Sequence, residues 1–321
     1  MIPLLIALTI ISFLVIELPP GSFVTSMISQ LREQGRQVTD DEIASLTRQL
    51  GLDKPVYQRY LIWIWNILRH GNFGRSFTWR RPVSQVIGQR IVLTMVISII
   101  TLIFTWAVAV PTGIYSAVRQ YSKFDYTVTF IGFIGLATPN FLLALVLMWL
   151  IFNYFNLAIT GLFSPEYADA VWSLGKVLNM LSRIWAPVLI IGTAGTAGII
   201  RIMRGTLLDE LRKQYVITAR AKGITESRLL FKYPVRVAIN PLISTIGWLL
   251  PAIISGETIT AIVLNLPTTG PVLFNALLAQ DTYLAASFVL VLGFLVLIGT
   301  LISDFVLAWI DPRIRYEGFS K

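Results

Sequence analysis

The feature that most constrains this chain is a set of long apolar runs separated by polar segments. The runs cover residues 2–18, 92–118, 126–156, 184–203, 237–262 and 284–308. A helix needs about 20 apolar residues to cross the hydrocarbon core of a bilayer, and the runs lie near or above this length. Only 13% of the residues are charged, whereas a soluble domain has about 25%. The sequence therefore predicts an all-α membrane protein with six transmembrane helices.

The apolar runs divide the chain into four parts. Residues 1–18 are the first transmembrane helix, which lacks the basic start and cleavage site of a signal peptide and is expected to be retained. Residues 19–90 form a helical extracytoplasmic segment. Residues 91–310 form a five-helix core with a cytoplasmic loop at 205–236, and residues 311–321 form a cytoplasmic tail.

The orientation follows from the short loops, because cytoplasmic loops of membrane proteins are rich in lysine and arginine. Nine basic residues lie in 201–236, two lie in 119–125 and three lie in the tail, whereas the loops on the other side carry only Lys176 and Arg183. The segment 19–90 is basic too, but long loops cross the membrane largely regardless of charge. The sequence therefore predicts a multi-pass protein with both termini in the cytoplasm.

The extracytoplasmic segment has helical patterns of its own. One helix starts at Thr39 or Asp40 and ends at Gly51, and another starts at Pro55. Trp63 and Trp65 suit a membrane interface. The predicted apolar stripes are Ile43, Leu46 and Leu50 on the first helix, and Val56, Tyr60, Trp63, Ile64, Ile67 and Leu68 on the second. This segment is either a structured loop or a platform for a substrate-delivery protein.

Several classes of function lack their motifs in this sequence. Cysteine is absent and His70 is the only histidine, so clustered metal ligands are not expected. The phosphate-binding loop GxxxxGK[ST] and the zinc motif HExxH do not occur, and a Ser–His–Asp set has no histidine inside the membrane. The cytoplasmic loops account for much of the net charge of +9, so nucleic acid is not an expected partner. We predict no catalytic site and no cofactor bound by this chain.

The polar segment 201–241 carries the most specific pattern. Asp209 is expected to pair with Arg212 and Lys213 along a helix. In the stretch 218–223, Thr-Ala-Arg-Ala-Lys-Gly, the two alanines are expected to leave one surface open to close approach by another protein. Gly223 is expected to end the helix in the left-handed conformation. Thr225 and Glu226 then start a second helix, which predicts a sharp corner between two helices.

Residues 215–223, YVITARAKG, resemble the cytoplasmic EAA loop of ABC-importer permeases of the dipeptide, oligopeptide and nickel family. The glutamate that names the motif is replaced here by Ile217. Further stretches resemble the same family in the same order, and together they cover essentially the whole chain. These are 50–55, 71–76, 137–141 (ATPNF), 201–204 (RIMR), 266–273, Asp304, and the tail signature Asp311, Pro312 and Arg313. The stretch 266–273 lacks the family's Pro-Gly pair.

The resemblance implies a permease subunit with the type I ABC importer fold in the cytoplasmic membrane. It implies a homologous second permease subunit, two ATPase subunits that hold ATP and Mg, an extracytoplasmic substrate-binding protein, and membrane lipid as partners. The chain itself would not be an enzyme. The residues implied to contact an ATPase subunit are Tyr215, Thr218, Ala219, Arg220, Ala221, Lys222 and Gly223. Peptides are the default substrate, and nickel or oligosaccharides are served by related proteins.

Polar residues inside the apolar runs are the remaining site candidates. Glu257 lies either on the substrate path or at the external interface. Asp304 is expected to be structural and to pair with a base such as Arg313. Asn240, Ser244, Thr245, Thr258 and Thr260 either line a cavity or bond to carbonyls of their own helix. In the fourth run Gly192, Ala194, Gly195, Ala197 and Gly198 predict close helix packing.

Two other classes of function fit the sequence less well than the importer. A secondary transporter driven by an ion gradient usually shows repeated halves and midplane carboxylates, and the sequence shows neither. An intramembrane enzyme would need a nucleophile or a metal motif. A requirement of uptake for ATP rather than for an ion gradient separates the importer from the secondary transporter.

Overall fold

The computed structural model describes residues 2–17, 22–34, 38–245 and 258–310. Within these ranges the regular structure is helical, and the predicted all-α class is confirmed. The chain divides into two compact units. The first unit comprises residues 1–94 and 267–297, and the second comprises residues 95–266 and 298–321. Each unit is described separately.

The helices are numbered in chain order. The first four are α1 (Ile2–Glu17), α2 (Phe23–Glu33), α3 (Asp40–Gln49) and α4 (Val56–His70). The next six are α5 (Val83–Val118), α6 (Lys123–Ala137), α7 (Asn140–Phe155), α8 (Pro165–Ala168), α9 (Leu174–Arg183) and α10 (Trp185–Leu211). The last six are α11 (Gln214–Ala221), α12 (Glu226–Lys232), α13 (Pro234–Ala238), α14 (Thr258–Val263), α15 (Thr269–Leu278) and α16 (Thr282–Ile310).

The first unit has a core centred on Trp63 of α4. Its indole Nε1 donates a hydrogen bond to the carbonyl oxygen of Phe73 at 3.2 Å, and Phe13 of α1 packs against its ring. The predicted stripe of α4 is confirmed except at Leu68, which is exposed. The interpretation of Trp63 as an interface residue is wrong, since it is buried, whereas Trp65 is exposed.

The local helix signals of the first unit are confirmed. Thr39 is the N-cap of α3, and its hydroxyl accepts a hydrogen bond from the Glu42 backbone N–H. The Glu42 carboxylate in turn accepts from the Thr39 backbone N–H, which completes a capping box. Gly51 has φ +68° just after this helix. Pro55 is the N-cap of α4.

A buried carboxylate fixes the segment that precedes α5. Asp281 accepts hydrogen bonds from the Ser76 hydroxyl at 2.6 Å and from the Thr78 backbone N–H at 3.0 Å. The backbone N–H of Leu284 also approaches it at 3.4 Å. A buried carboxylate is costly unless it is hydrogen-bonded, so these donors make its position possible.

The second unit is built around α10, which contacts α6, α7 and α13. Close packing predicted for the fourth apolar run is confirmed at Gly192, where an added Cβ would lie 3.1 Å from the Phe104 ring. It is not seen at Gly198, whose missing Cβ faces open space. Gly113 of α5 is tighter still, since a Cβ there would lie 2.8 Å from Cβ of Met203. Small residues therefore set the approach of helices to α10.

Three described helices are long and apolar enough to cross a membrane. They are α5, α10 and the part of α16 at Thr282–Ile302. The run 126–156, predicted as one span, is instead the pair α6 and α7, which meet at 106°. Pro139 is the N-cap of α7 and cannot donate a backbone hydrogen bond, so the chain breaks there. By contrast, Pro111 lies within α5 without ending it.

The count of six spans is not confirmed by the described helices. If α6 and α7 together form one broken span, the number of candidate spans is four. The first run forms α1, which has 16 residues. The run 237–262 includes residues 246–257, which lie outside the described residues.

Candidate functional site

The predicted corner at 214–232 is present and belongs to the second unit. Helix α11 ends at Ala221 with Lys222 as its C-cap, and Gly223 follows with φ +75°. The Gly223 N–H donates to the Arg220 carbonyl oxygen at 3.0 Å, and the Ile224 N–H donates to that of Ala219 at 3.4 Å. These bonds close the helix end with a left-handed residue, which glycine adopts without a steric penalty. The predicted left-handed glycine is therefore confirmed.

The inner side of the corner is a small apolar cluster. Val216, Ala219 and Leu229 are buried there, with Ile224 and Tyr233 packed around them. Ala219 therefore packs against its own chain, whereas Ala221 is exposed. The expectation that both alanines leave one open surface is wrong, because residues two apart on a helix do not share a face.

The outer side of the corner carries an ion pair across Gly223. The Arg220 guanidinium donates to both carboxylate oxygens of Glu226, at 2.5 and 3.1 Å. This contact lowers the pKa of the Glu226 carboxyl from its ordinary value of 4.5. Thr225 is the N-cap of α12, but its side chain makes no capping hydrogen bond. The corner is therefore held mainly by the glycine turn and the apolar cluster, and the exposed ion pair adds a weaker contact across it.

A second polar contact attaches α11 to the end of α10. The Tyr215 hydroxyl donates to Glu210 at 2.5 Å, and Lys213 Nζ donates to the other oxygen of the same carboxylate at 2.6 Å. Burial and the adjacent carboxylate raise the pKa of Tyr215 above its ordinary value, so the phenol stays protonated and remains a donor. The prediction that Asp209 pairs with Lys213 is wrong, because Glu210 occupies that role.

The exposed surface of the corner combines apolar and cationic groups. Thr218, Ala221 and Lys222 are exposed, as is Arg220 despite its ion pair. Ile217, which stands where the motif has glutamate, is also exposed. The corner is thus a preformed helical turn with apolar and cationic groups on its surface, and another protein could bind to it.

Sequence reasoning missed a buried ion pair near this site. Asp125 in the first turn of α6 accepts hydrogen bonds from Arg204 of α10, at 2.7 Å from Nε and 2.8 Å from Nη2. The Tyr121 N–H donates to it at 2.9 Å, and the Ser116 hydroxyl donates as well. One signal was available: Ser122 stands three residues before Asp125, and its hydroxyl caps the helix.

The other candidate residues do not gather at this site. Ser244 is exposed and its hydroxyl approaches the carbonyl oxygen of Asn240 at 3.5 Å, and Thr245 donates to that of Leu242 at 2.6 Å. These bonds follow the within-helix alternative. Thr258 begins α14, and Asp304 is exposed on α16. Glu257, Asp311, Pro312 and Arg313 lie outside the described residues.

The fold has a counterpart among solved structures. A chain of the structure described as inward facing conformations of the MetNI methionine ABC transporter matches with a TM-score of 0.56. The match has 14% sequence identity and covers 71% of this chain and 97% of that chain. The fold is that of a type I ABC importer permease.

The family can be named from the sequence comparison. The profile of the family described as binding-protein-dependent transport system inner membrane component matches residues 109–316, and this chain belongs to that family. Its members are inner-membrane permease components and not enzymes themselves.

Two relatives match nearly the whole chain. The oligopeptide transport system permease protein AppB of Bacillus subtilis (strain 168) is 33% identical, over 98% of this chain and 96% of the relative. The dipeptide transport system permease protein DppB of Escherichia coli (strain K12) is 29% identical, with the same coverage. Type I permeases of this kind act with a second permease, ATPases and a binding protein in general.

Proposed function

We propose that this chain forms half of the translocation path of an ATP-driven importer that carries peptides across the cytoplasmic membrane. The relatives named above support peptides as the substrate class, because they match along almost the entire chain rather than over one segment. The partners would be a homologous permease subunit, two ATPase subunits and an extracytoplasmic binding protein. This chain would bind no cofactor, and ATP and Mg would be held by the ATPase subunits.

The corner formed by α11, Gly223 and α12 is the proposed contact with an ATPase subunit. One observation carries this proposal: the corner is exposed on its outer side yet attached to α10 through the Tyr215–Glu210 hydrogen bond. A displacement of α11 is therefore passed to a helix long enough to span the membrane. Since ATP closes the ATPase pair, coupling requires that ATP bind one state of the permease better than the other.

The contact residues are proposed on the outer surface of the corner. Arg220 and Lys222 supply the positive charge. Thr218, Ala221 and Gly223 have small side chains or none, so a partner can approach closely. Tyr215 and Ala219 act from within the chain, Tyr215 through Glu210 and Ala219 through the apolar cluster. All seven proposed coupling residues thus lie in α11 or in the turn that follows it.

The proposed orientation places 205–236, both termini and the tail 311–321 in the cytoplasm, and residues 19–90 outside. Glu257, Thr258, Ser244 and Asn240 remain proposed path residues, and Asp304, Asp311, Pro312 and Arg313 a structural signature. The chain has no cysteine, so Lys222→Cys and Tyr57→Cys can be labelled one at a time. A membrane-impermeant maleimide applied to intact spheroplasts should label the cysteine at 57 and not the cysteine at 222.

The coupling role is tested with glycine variants of the assembled transporter. Gly223→Ala forces a side chain onto a left-handed residue, and it is expected to reduce both peptide uptake and the ATPase stimulation caused by loaded binding protein. Gly205→Ala is the matched control. Gly205 is exposed on α10, its missing Cβ faces open space, and alanine favours a helix.

The outcome separates coupling from assembly. If Gly223→Ala assembles with its partners and keeps wild-type stimulation, the corner is not the coupling element. Substrate class is tested separately by measuring which compounds the partner binding protein delivers. Uptake of nickel or an oligosaccharide instead of peptides would leave the coupling role intact and replace the substrate, whereas uptake driven by an ion gradient without ATP would reject the importer.

A further inference from the structure

The segment between α7 and α10 carries an apolar stripe that the described part of the chain does not cover. Leu174, Leu178 and Leu181 of α9 continue in Trp185, the first residue of α10, and these side chains are between 48% and 76% exposed. Their spacing of four, three and four residues places them on one face of a helix. The face that packs against the chain is different and contains Lys176, Met180 and Ile184.

The orientation of α9 is fixed by its buried lysine. Lys176 Nζ donates hydrogen bonds to the carbonyl oxygens of Ala168 at 3.2 Å and Ala170 at 2.6 Å. The same ammonium lies 4.8 Å from the centre of the Phe163 ring and 5.4 Å from that of Trp172. Because these contacts hold the Lys176 face against the loop, the leucine stripe cannot turn inward.

The stripe leads directly into α10, a helix that is long and apolar enough to cross a membrane. Ile184 is at once the C-cap of α9 and the N-cap of α10. The apolar part of α10 runs from Trp185 to Ile200, ahead of Arg201, and these 16 residues are about 24 Å long at 1.5 Å per residue. The hydrocarbon core of a bilayer is about 30 Å thick. The start of α10 therefore lies at or inside the membrane boundary, and α9 adjoins it.

We propose that α9 lies in the interface of the bilayer, with the leucine stripe in contact with lipid acyl chains. Tryptophan side chains are enriched at the depth of the lipid headgroups, and half-exposed Trp172 and Trp185 flank α9 at its two ends. The exposed acidic residues of the same segment, Glu166 and Asp169, point to water. The lipid contact does not depend on the proposed transport function. The proposed orientation would place α9 in the outer leaflet, and only this assignment depends on it.

The absence of cysteine from the chain gives a direct test. A nitroxide label is attached to Leu178→Cys on the stripe and, as the control, to Glu166→Cys on α8, an exposed and charged position in the same segment. The assembled transporter is placed in lipid nanodiscs, and collisions of the label with oxygen and with a water-soluble nickel chelate are measured. Oxygen concentrates in lipid, so the oxygen-to-nickel ratio should be several-fold higher at 178 than at 166.

Two results would overturn the proposal. Equal ratios at 178 and 166, with strong nickel collisions at both, would place the stripe in water. Weak collisions of the label at 178 with both reagents would show that a protein partner covers the stripe. Only preparations in which the labelled variant remains in the assembled complex are compared, so loss of folding does not mimic either outcome.

Discussion

The ion pair between Asp125 and Arg204 offers the most quantitative test of how the second unit is held together. The Asp125 side chain is 3% exposed and that of Arg204 is 26% exposed. Removal of one partner from a buried ion pair costs about 3–5 kcal/mol, because the remaining charge loses its compensation. The two single variants should therefore differ, since water can reach the arginine but not the aspartate.

Asp125→Asn leaves a guanidinium that water partly hydrates, so we expect a loss of about 3 kcal/mol, the low end of that range. Arg204→Met leaves a carboxylate with only the Ser116 and Tyr121 donors, so we expect about 4 kcal/mol. The double variant leaves no uncompensated charge, so it should cost less than either single variant. The implied coupling energy between the two side chains is then more than about 4 kcal/mol.

The assay is thermal unfolding of the assembled transporter in nanodiscs. For a unit of this size about 1 kcal/mol corresponds to a midpoint shift of about 2–4 °C, so Arg204→Met should lower the midpoint by roughly 10 °C. Glu226→Gln is the control, because the Arg220–Glu226 pair has similar geometry but side chains that are 50% and 67% exposed. It should leave the midpoint unchanged. The reasoning is refuted if the two single shifts add fully in the double variant, or if the Glu226 control matches Asp125→Asn.

Two further predictions concern packing and pH. Gly113→Ala would place Cβ 2.8 Å from Cβ of Met203 and 3.1 Å from a backbone oxygen, so it should destabilise the protein by about 1–3 kcal/mol. Gly88→Ala on the same helix is the control, because its Cβ meets open space and should not lower the thermal midpoint. Equal midpoints for the two variants would contradict the close approach. Because contact with Arg220 lowers the pKa of Glu226, the ion pair contributes fully to the stability of the corner above pH 4.5 and is lost as the pH falls through the lowered pKa. Nitroxides at 218 and 228 should therefore separate only in acid. Glu226→Gln should abolish this pH dependence, and separation near about pH 6–7 would point to another group.

Local signals in the sequence predicted the corner, and long-range contacts account for what they missed. Gly223 and the Thr225–Glu226 pair specify a helix end and a helix start by themselves, so the turn was predictable. The burial of Ala219 depends on Leu229, which lies beyond the turn. The role of Asp125 depends on Arg204, 79 residues away, so no local pattern indicated this partner.

Side-chain environment was also harder to predict than helix position. On α4 the stripe was correct, but Leu68 lies at its edge and faces outward, whereas Trp63 faces inward. Periodicity alone does not decide which edge position is covered, because that depends on α1 and on residues 272–288. The proline at 139 was visible in the sequence, but neither the break of the run 126–156 into two helices nor its angle of 106° was predicted.

The length of α10 has a consequence for how small motions reach the far side of the bilayer. Its 27 residues extend for about 40 Å as one rod, with Glu210 near one end and Trp185 at the other. If the rod tilts by about 5° about one end, the opposite end moves by about 3.5 Å, which exceeds the roughly 2.8 Å diameter of a water molecule. A small displacement of Tyr215 that leaves the corner itself intact could thus open or close a passage for solvent at the opposite end of α10.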